Sequence, residues 1–190
     1  MTGQTDLILI RHGPVQTGGR PAGRRDLPAQ LPGPETLATL RKAIGAIDRL
    51  VASPALRCRQ TATALFPGWE PEFDPRLWEQ DFGDWEGADP AGLPDPGPLD
   101  REALAHLRPP RGESFADLHD RSAPALAALR TGARIAVVAH AGTVRVALSL
   151  ALGLPSAGLA FEIAPLSRTR LRAFADGQWA IVAVNETVHF

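Results

Sequence analysis

The chain has 190 residues, of which 44% are hydrophobic and 22% are charged, a balance typical of a globular protein with a sizeable core. Its formal net charge is only −1, so it lacks the overall positive charge of nucleic-acid-binding proteins, and we expect no nucleic-acid partner. A chain of this length predicts a single domain over residues 1–190.

The sequence shows no signal for secretion or for membrane insertion. The apolar run at 7–10 is too short for a signal peptide, and no run approaches the roughly 18–20 apolar residues of a membrane span. Cys58 is the only cysteine, which excludes a disulfide within the chain and a thiolate metal cluster. We therefore expect a cytoplasmic monomer or homodimer with no membrane partner.

Strands and helices alternate in the first part of the chain. The continuous apolar run 7–10 predicts a strand that is buried on both faces, as in a parallel sheet. After a Gly- and Pro-rich loop over 13–34, Pro34 opens a predicted helix with apolar residues near helical spacing. Residues 50–52 predict a second strand, and Ser53 is expected to cap a helix that runs to about residue 66.

The second part begins with an irregular segment at 68–110, too long a loop for a compact domain unless it serves a function. Ser114 and Asp117 then predict a capping box at the start of a helix, in which Pro124 is expected to produce a kink. Residues 135–139 predict a buried strand, followed by a helix over 143–152 that ends at Gly153. Residues 168–174 and 179–184 predict a strand pair. This order predicts an α/β fold, a three-layer α/β/α sandwich with a mostly parallel central sheet.

Four groups of polar residues stand out in this pattern. Arg11 and His12 follow the first strand, Arg57 lies at the start of a helix after the second strand, and His140 follows the strand at 135–139. Glu79 lies in the irregular segment, among aromatic residues. Ligands of open α/β sheets bind outside the carboxyl ends of the strands, so we expect these side chains to converge there.

These residue types suit phosphoryl transfer without a metal or another cofactor. A neutral imidazole such as that of His12 can attack phosphorus directly, and Arg11, Arg57 and His140 can stabilise the charge on the phosphoryl oxygens. The amides of Ala141 and Gly142, at a helix N-terminus, offer a further seat for an anion. A carboxylic acid such as Glu79 can protonate the leaving alkoxide when burial or a nearby anion favours its protonated form. We therefore predict a small-molecule phosphomonoester as the partner.

Several carboxylates compete for the role of proton donor. Asp81, Asp84 and Glu86 lie close to Glu79 in the sequence, but Glu86 precedes a glycine and is typical of a turn. Glu113 is expected either to support the cap at Ser114 or to take part in the site.

The histidines and the cysteine also have structural interpretations. The neighbouring arginines would repel a divalent cation, so we expect His12 and His140 not to be metal ligands. Cys58 is expected to be an inert buried thiol. The remaining histidines are expected at the surface or in packing contacts: His106, His119 and His189.

The motifs resemble those of the histidine phosphatase superfamily, also called the phosphoglycerate mutase-like family. Its motifs are similar to Arg11-His12-Gly13 and to the segments 53–57, 77–87, 138–142 and 185–189. The resemblance implies that His12 forms a phosphohistidine, that Arg11, Arg57 and His140 bind the phosphate, and that Glu79 donates the proton.

Within this family, segments 23–28 and 109–114 resemble the α-ribazole phosphatase branch, which implies α-ribazole 5′-phosphate of cobalamin biosynthesis as the substrate. The chain lacks the Asn that many members carry after the Arg-His-Gly signature. Thr17, Gln16 or an arginine of the same loop (Arg20, Arg24 or Arg25) is expected to replace it in binding phosphate. Two alternatives remain, a phosphoglycerate mutase-type transfer and a non-catalytic protein of the same fold that binds a phosphorylated ligand.

Overall fold

The structure is a computed structural model and describes residues 3–188. Its six strands are β1 (Thr5–Arg11), β2 (Arg49–Ala52), β3 (Glu72–Phe73), β4 (Arg134–Ala139), β5 (Arg168–Ala173) and β6 (Trp179–Glu186). They form one sheet in the order β3-β2-β4-β1-β5-β6. The ladders from β3 to β1 are parallel, whereas β5 runs antiparallel to both of its neighbours. The predicted mostly parallel sheet is confirmed.

Five helices cover the sheet: α1 (Pro34–Ile44), α2 (Leu56–Leu65), α3 (Arg101–His106), α4 (Phe115–Ala127) and α5 (Ala141–Leu152). Side chains alternate between the two faces of a strand, and in β1 this places Leu7 and Leu9 in one core and Ile8 and Ile10 in the other. The first core includes residues of α4 and α5, and the second includes residues of α1 and α2. The continuous apolar run therefore has the expected cause, burial on both faces, and the α/β/α sandwich is confirmed.

Two helices begin at other residues than the sequence predicts. Helix α2 starts at Leu56 with Ala55 as its N-cap, because the hydroxyl of Ser53 is buried against His140, 2.9 Å from its Nε2. The amide of Leu56 instead donates to the carboxylate of Asp26 in the preceding loop, at 2.7 Å. Helix α5 starts at Ala141, two residues before the predicted start.

The predicted start of α4 and the predicted end of α5 are confirmed. Ser114 and Asp117 form the expected capping box, and α4 continues three residues beyond Pro124. Gly153 ends α5 in the left-handed conformation, with a φ of 69°. The segment at 68–110 is irregular apart from β3, three short 3₁₀ turns and α3, a helix that the sequence analysis missed. No helix in residues 3–188 is long and apolar enough to cross a membrane. His189 lies outside the described residues.

The sheet brings the ends of three parallel strands together. The amide of His12 donates to the carbonyl of Ala139 at 2.9 Å, and the amide of Ser53 donates to the carbonyl of Val138 at 3.0 Å. The residues that follow β1, β2 and β4 therefore meet at one edge of the sheet, as expected for a parallel arrangement.

Candidate active site

His12 lies directly after β1 and is 6% exposed. Its Nδ1 is 2.7 Å from the carbonyl oxygen of Gly13, which can only accept a hydrogen bond, so Nδ1 carries the proton. Burial is the main reason that the pKa of His12 is lowered to about 3. The hydrogen bond to Gly13 raises this pKa, and the charges of Arg57 and Arg11 lower it. The ring is therefore neutral near pH 7, and its lone pair is on Nε2.

Arg57 lies in the first turn of α2, and its guanidinium is held on three sides. Nε faces Nε2 of His12 at 3.3 Å, Nη1 donates to the carbonyl of Arg25 at 2.9 Å, and Nη2 donates to the carbonyl of Gly23 at 2.7 Å. The side chain is 1% exposed. The contact with His12 agrees with the assigned tautomer, because a guanidinium N–H can only donate to an unprotonated ring nitrogen.

His140 is the N-cap of α5 and is fully buried. Its ring meets that of His12 edge to face, with 5.1 Å between the centroids, and Trp78 is stacked parallel to it, with 6.4 Å between the centroids. Burial, followed by the nearby His12 and Arg57, lowers the pKa of His140 well below its ordinary value. His140 therefore lies behind His12 as a neutral ring and does not line the open cleft.

Glu79 reaches the same edge of the sheet from the irregular segment. Its Oε1 accepts from the amide of Gln80 at 3.0 Å, and its Oε2 accepts from the amide of Gly142 at 3.2 Å. A Cβ atom on Gly142 would lie 2.1 Å from Oε1 of Glu79, so glycine is needed there for the carboxylate to approach α5. The expectation that the Gly142 amide is free to bind an anion is wrong, because Glu79 occupies it.

The competing carboxylates have other partners. Asp81 accepts from the amide of Gly83, and Asp84 pairs with Arg111. Glu86 accepts from the amides of Gly23, Arg24 and Phe82, an arrangement that joins the loop after β1 to the segment that carries Glu79. Among residues 3–188, the carboxylate that lines the cleft beside His12 is that of Glu79.

The cleft has a volume of about 380 Å³. The predicted site residues Arg11, His12, Arg57, Glu79, Ala141 and Thr17 line it, together with Pro14, Val15, Arg20, Ala22, Phe82, Arg145 and Pro165. Of the candidates for the missing Asn, Thr17 and Arg20 reach the cleft. Gln16, Arg24 and Arg25 are not among its lining residues.

Arg145 is a residue of the cleft that the sequence analysis did not identify. It lies four residues after Ala141 and so on the same face of α5, a spacing from which it could have been found. Its Nε donates to the carbonyl of Phe161 at 3.0 Å. Burial lowers the pKa of Arg11, the charges of Arg145 and Arg57 add to this effect, and Glu79 opposes it. Nη1 of Arg11 donates to the carbonyl of Ile163 at 2.6 Å, two residues along the chain from the carbonyl that accepts from Arg145, so both arginines lie on the same part of the cleft wall.

Glu113 and Cys58 do not line the cleft but contact residues that support it. Glu113 accepts from Arg121 at 2.7 and 2.9 Å and from the amide of Asp81 at 3.0 Å, so it anchors the segment that carries Glu79. The thiol of Cys58 is fully buried, 3.5 Å from Nε2 of His140, and burial raises its pKa, as expected for an inert thiol. No three His, Cys, Asp or Glu side chains within residues 3–188 are placed to hold a metal ion.

The geometry agrees with comparisons to known proteins. A scan against protein families matches residues 7–187 to the histidine phosphatase superfamily (branch 1). No sequence among the curated proteins matches the chain.

Solved structures provide the other similarities. A mycobacterial glucosyl-3-phosphoglycerate phosphatase is 25% identical, with a TM-score of 0.82 over 97% of this chain and 100% of its own. A phosphoserine phosphatase from Entamoeba histolytica, in complex with 3-phosphoglyceric acid, is 24% identical, with a TM-score of 0.80 over 96% and 98%. The α-ribazole phosphatase from Shigella flexneri is 22% identical, with a TM-score of 0.81 over 95% and 96%. At under 25% identity, the likenesses to these last two enzymes show the fold alone. The match over 7–187, with the residues of the family's motifs gathered at one sheet edge, shows that the chain belongs to the histidine phosphatase superfamily.

Proposed function

We propose that this protein is a phosphatase that hydrolyses the phosphomonoester of a small molecule through a phosphohistidine at His12. The state of His12 is the observation that carries the proposal. Its ring is neutral, its Nδ1 proton is committed to Gly13, and its Nε2 lone pair lies in a cleft lined by Arg11, Arg57 and Glu79. A nucleophile beside two cations and one carboxyl group is the combination that metal-free phosphoryl transfer needs.

In the first step, Nε2 of His12 attacks phosphorus, and the bond between phosphorus and the ester oxygen breaks. The guanidinium of Arg57 now faces the lone pair at 3.3 Å and must turn towards a phosphoryl oxygen as the new bond forms. The carboxyl group of Glu79 gives its proton to the departing alkoxide, since a bound phosphate dianion favours a protonated carboxyl beside it.

In the second step, water attacks the phosphohistidine, and the Glu79 carboxylate accepts the proton of that water. The bond between phosphorus and Nε2 breaks, and inorganic phosphate leaves with His12 neutral again. A mutase must keep water away from its phosphohistidine. The exposed Pro14 and Arg20 on the cleft wall leave the site open, which supports hydrolysis.

The substrate we propose is α-ribazole 5′-phosphate, as the segments 23–28 and 109–114 suggest. The structural likeness to the Shigella flexneri enzyme is compatible with this substrate. Glucosyl-3-phosphoglycerate and phosphoserine, for which the other two similar phosphatases are named, are the esters with which this substrate should be compared.

The test is phosphate release from these esters in the presence of EDTA, with His12→Ala and the matched variant His106→Ala, whose imidazole is exposed on α3. We expect turnover to be lost in His12→Ala and retained in His106→Ala. Brief mixing with a ³²P-labelled ester should trap an acid-labile label on the wild-type protein and on His106→Ala, but not on His12→Ala. Turnover by His12→Ala would contradict the mechanism, and tight ester binding without turnover would favour the non-catalytic alternative. Isomerisation of 3-phosphoglycerate without free phosphate would favour the mutase.

A further inference from the structure

A second cavity adjoins the catalytic cleft and has no part in the chemistry described so far. Its volume is about 210 Å³. Its walls are apolar apart from one amide side chain and consist of Gln80, Phe82, Trp85, Leu104, Leu107, Pro109, Phe115 and Leu159. Phe82 also lines the catalytic cleft, so one side chain borders both spaces.

The cavity is open to solvent. Leu104 on α3 is 44% exposed, and the side chains of Phe82 and Trp85 are only partly buried. Apolar surface in contact with water costs about 25 cal/mol for each Å² that a ligand could cover. A ligand that places an apolar group in this space removes that surface from water, and the free energy gained stabilises the complex.

The position of the cavity relates it to the leaving group of the ester. Arg57, which contacts Nε2 of His12, and Arg11 and Arg145, which donate to the carbonyls of Ile163 and Phe161, mark the end of the cleft that receives the phosphoryl group. Glu79, which protonates the departing oxygen, is followed by Gln80 and, three residues after Glu79, by Phe82, both of which line the second cavity. The alcohol part of a bound ester therefore leaves the cleft past Glu79 on the side where the apolar cavity lies.

We propose that the second cavity binds an apolar ring, preferably aromatic, on the alcohol part of the substrate. This proposal rests on the proposed phosphatase function and narrows its substrates to phosphomonoesters whose alcohol carries such a ring. An apolar protein cavity of about 150 Å³ is large enough to bind benzene, so the space here accommodates a six-membered ring with substituents. Phe82, Trp85 and Phe115 supply aromatic partners for stacked or edge-to-face contacts.

A leaving group with its own negative charge is the rival class, because Arg20 and Arg145 also line the cleft. The contacts favour the apolar ring. Arg145 and Arg11 donate to the carbonyls of Phe161 and Ile163, which lie two residues apart, so Arg145 shares the phosphoryl end with Arg11. Arg20 donates to the carbonyl of Gly87 and lies 3.7 Å from Asp89.

The experiment compares phenylalkyl phosphates that have two-, three- and four-carbon linkers with n-alkyl phosphates of the same linker lengths. The alcohols of each pair are similar leaving groups, so the ratio of their kcat/KM values measures how the ring is bound. We expect the ratio to reach at least about tenfold at one linker length, since burial of a ring of this size is worth more than one methylene group. 3-Phosphoglycerate and phosphoserine are measured beside them.

Two variants remove apolar side chains from the cavity, and two control variants make the same kinds of substitution elsewhere. Trp85→Ala and Leu104→Gln should each lower the phenylalkyl to n-alkyl ratio at least about threefold. The matched controls are Trp69→Ala, a 42% exposed tryptophan in a separate groove near α1 and α2, and Leu152→Gln, a 48% exposed leucine at the far end of α5. Both controls should keep the wild-type ratio.

Each result decides between the hypotheses. Equal kcat/KM values within every pair, or a ratio unchanged in Trp85→Ala and Leu104→Gln, would overturn the apolar subsite and leave the phosphatase function standing. A preference for the carboxylated esters that is lost in Arg145→Gln would assign the anionic class instead. Absence of turnover with all esters would overturn the phosphatase function and, with it, this inference.

Discussion

Glu79 shows how a single residue acquires a role from its contacts. Its carboxylate is oriented by two backbone amides, those of Gln80 and Gly142, and Arg121 donates to its carbonyl oxygen at 3.3 Å. The neighbouring Asp84 has a similar carboxylate but pairs with Arg111 at an exposed position. Since a proton donor must lie within reach of the ester oxygen, the geometry assigns different roles to these two acids.

Replacement of Glu79 by glutamine should therefore depend on the leaving group. We expect kcat/KM for an alkyl phosphate to fall roughly 10²- to 10⁴-fold, because glutamine cannot protonate the alkoxide. For 4-nitrophenyl phosphate, whose leaving group is stable as an anion, the fall should be far smaller. Steady-state kinetics with both esters measures this, and Asp84→Asn should match the wild type. An equal fall with both esters would refute the role of Glu79 as an acid.

At the scale of whole elements, the site depends on the contact between the loop after β1 and the irregular segment. Glu86 accepts from the amides of Gly23 and Arg24, and the carbonyl of Gly23 in turn holds Nη2 of Arg57. A Cβ atom on Gly23 would lie 1.8 Å from the carbonyl oxygen of Gln80. The two segments can approach this closely only because residue 23 is glycine.

Gly23→Ala should thus separate the two segments and release Arg57. We expect a loss of about 1–3 kcal/mol in the free energy of unfolding, measured with urea, together with a higher KM for the phosphoester. Gly92→Ala is the matched control, because a Cβ atom on Gly92 meets nothing within 4 Å. If Gly23→Ala behaved like this control in both measurements, the close contact would not matter for the site.

For the molecule as a whole, burial of the site links stability to pH. His12 is neutral in the folded state, with a pKa of about 3, whereas an unfolded chain has a histidine pKa of about 6.5. Between these values the unfolded state binds the extra proton, so the free energy of unfolding falls as the pH drops through this window.

Wild-type protein should therefore be more acid-sensitive than His12→Gln. Between pH 7 and pH 5 we expect the wild type to lose about 2 kcal/mol more of its unfolding free energy than the variant does. Urea denaturation at both pH values measures the difference, and His106→Gln, at an exposed position, should follow the wild type. Parallel losses in the wild type and His12→Gln would show that His12 is not held neutral by burial.

Much of the fold was predictable because its signals are local. The doubly buried run in β1, the capping box at Ser114 and the glycine that ends α5 each depend on a few neighbouring residues. The placement of Arg11, His12, Arg57 and His140 was predictable for a related reason, since parallel strands always bring their carboxyl ends to one edge. Helix α3 was missed because Arg101–His106 is short and lies in a segment rich in Pro, Gly and Asp.

The layered fold, the strand ends that carry the polar groups and the motifs of the family all follow from local patterns in the amino-acid sequence. Three arrangements emerge in the folded chain: Ser53 bonds to His140 rather than capping α2, the amide of Gly142 donates to Glu79, and Arg145 shares the cleft with Arg11. Folding also places Phe82 between two cavities. The physical reason is that a side chain or an amide forms its hydrogen bonds with whichever group folding brings near, and these partners lie tens of residues away in the sequence.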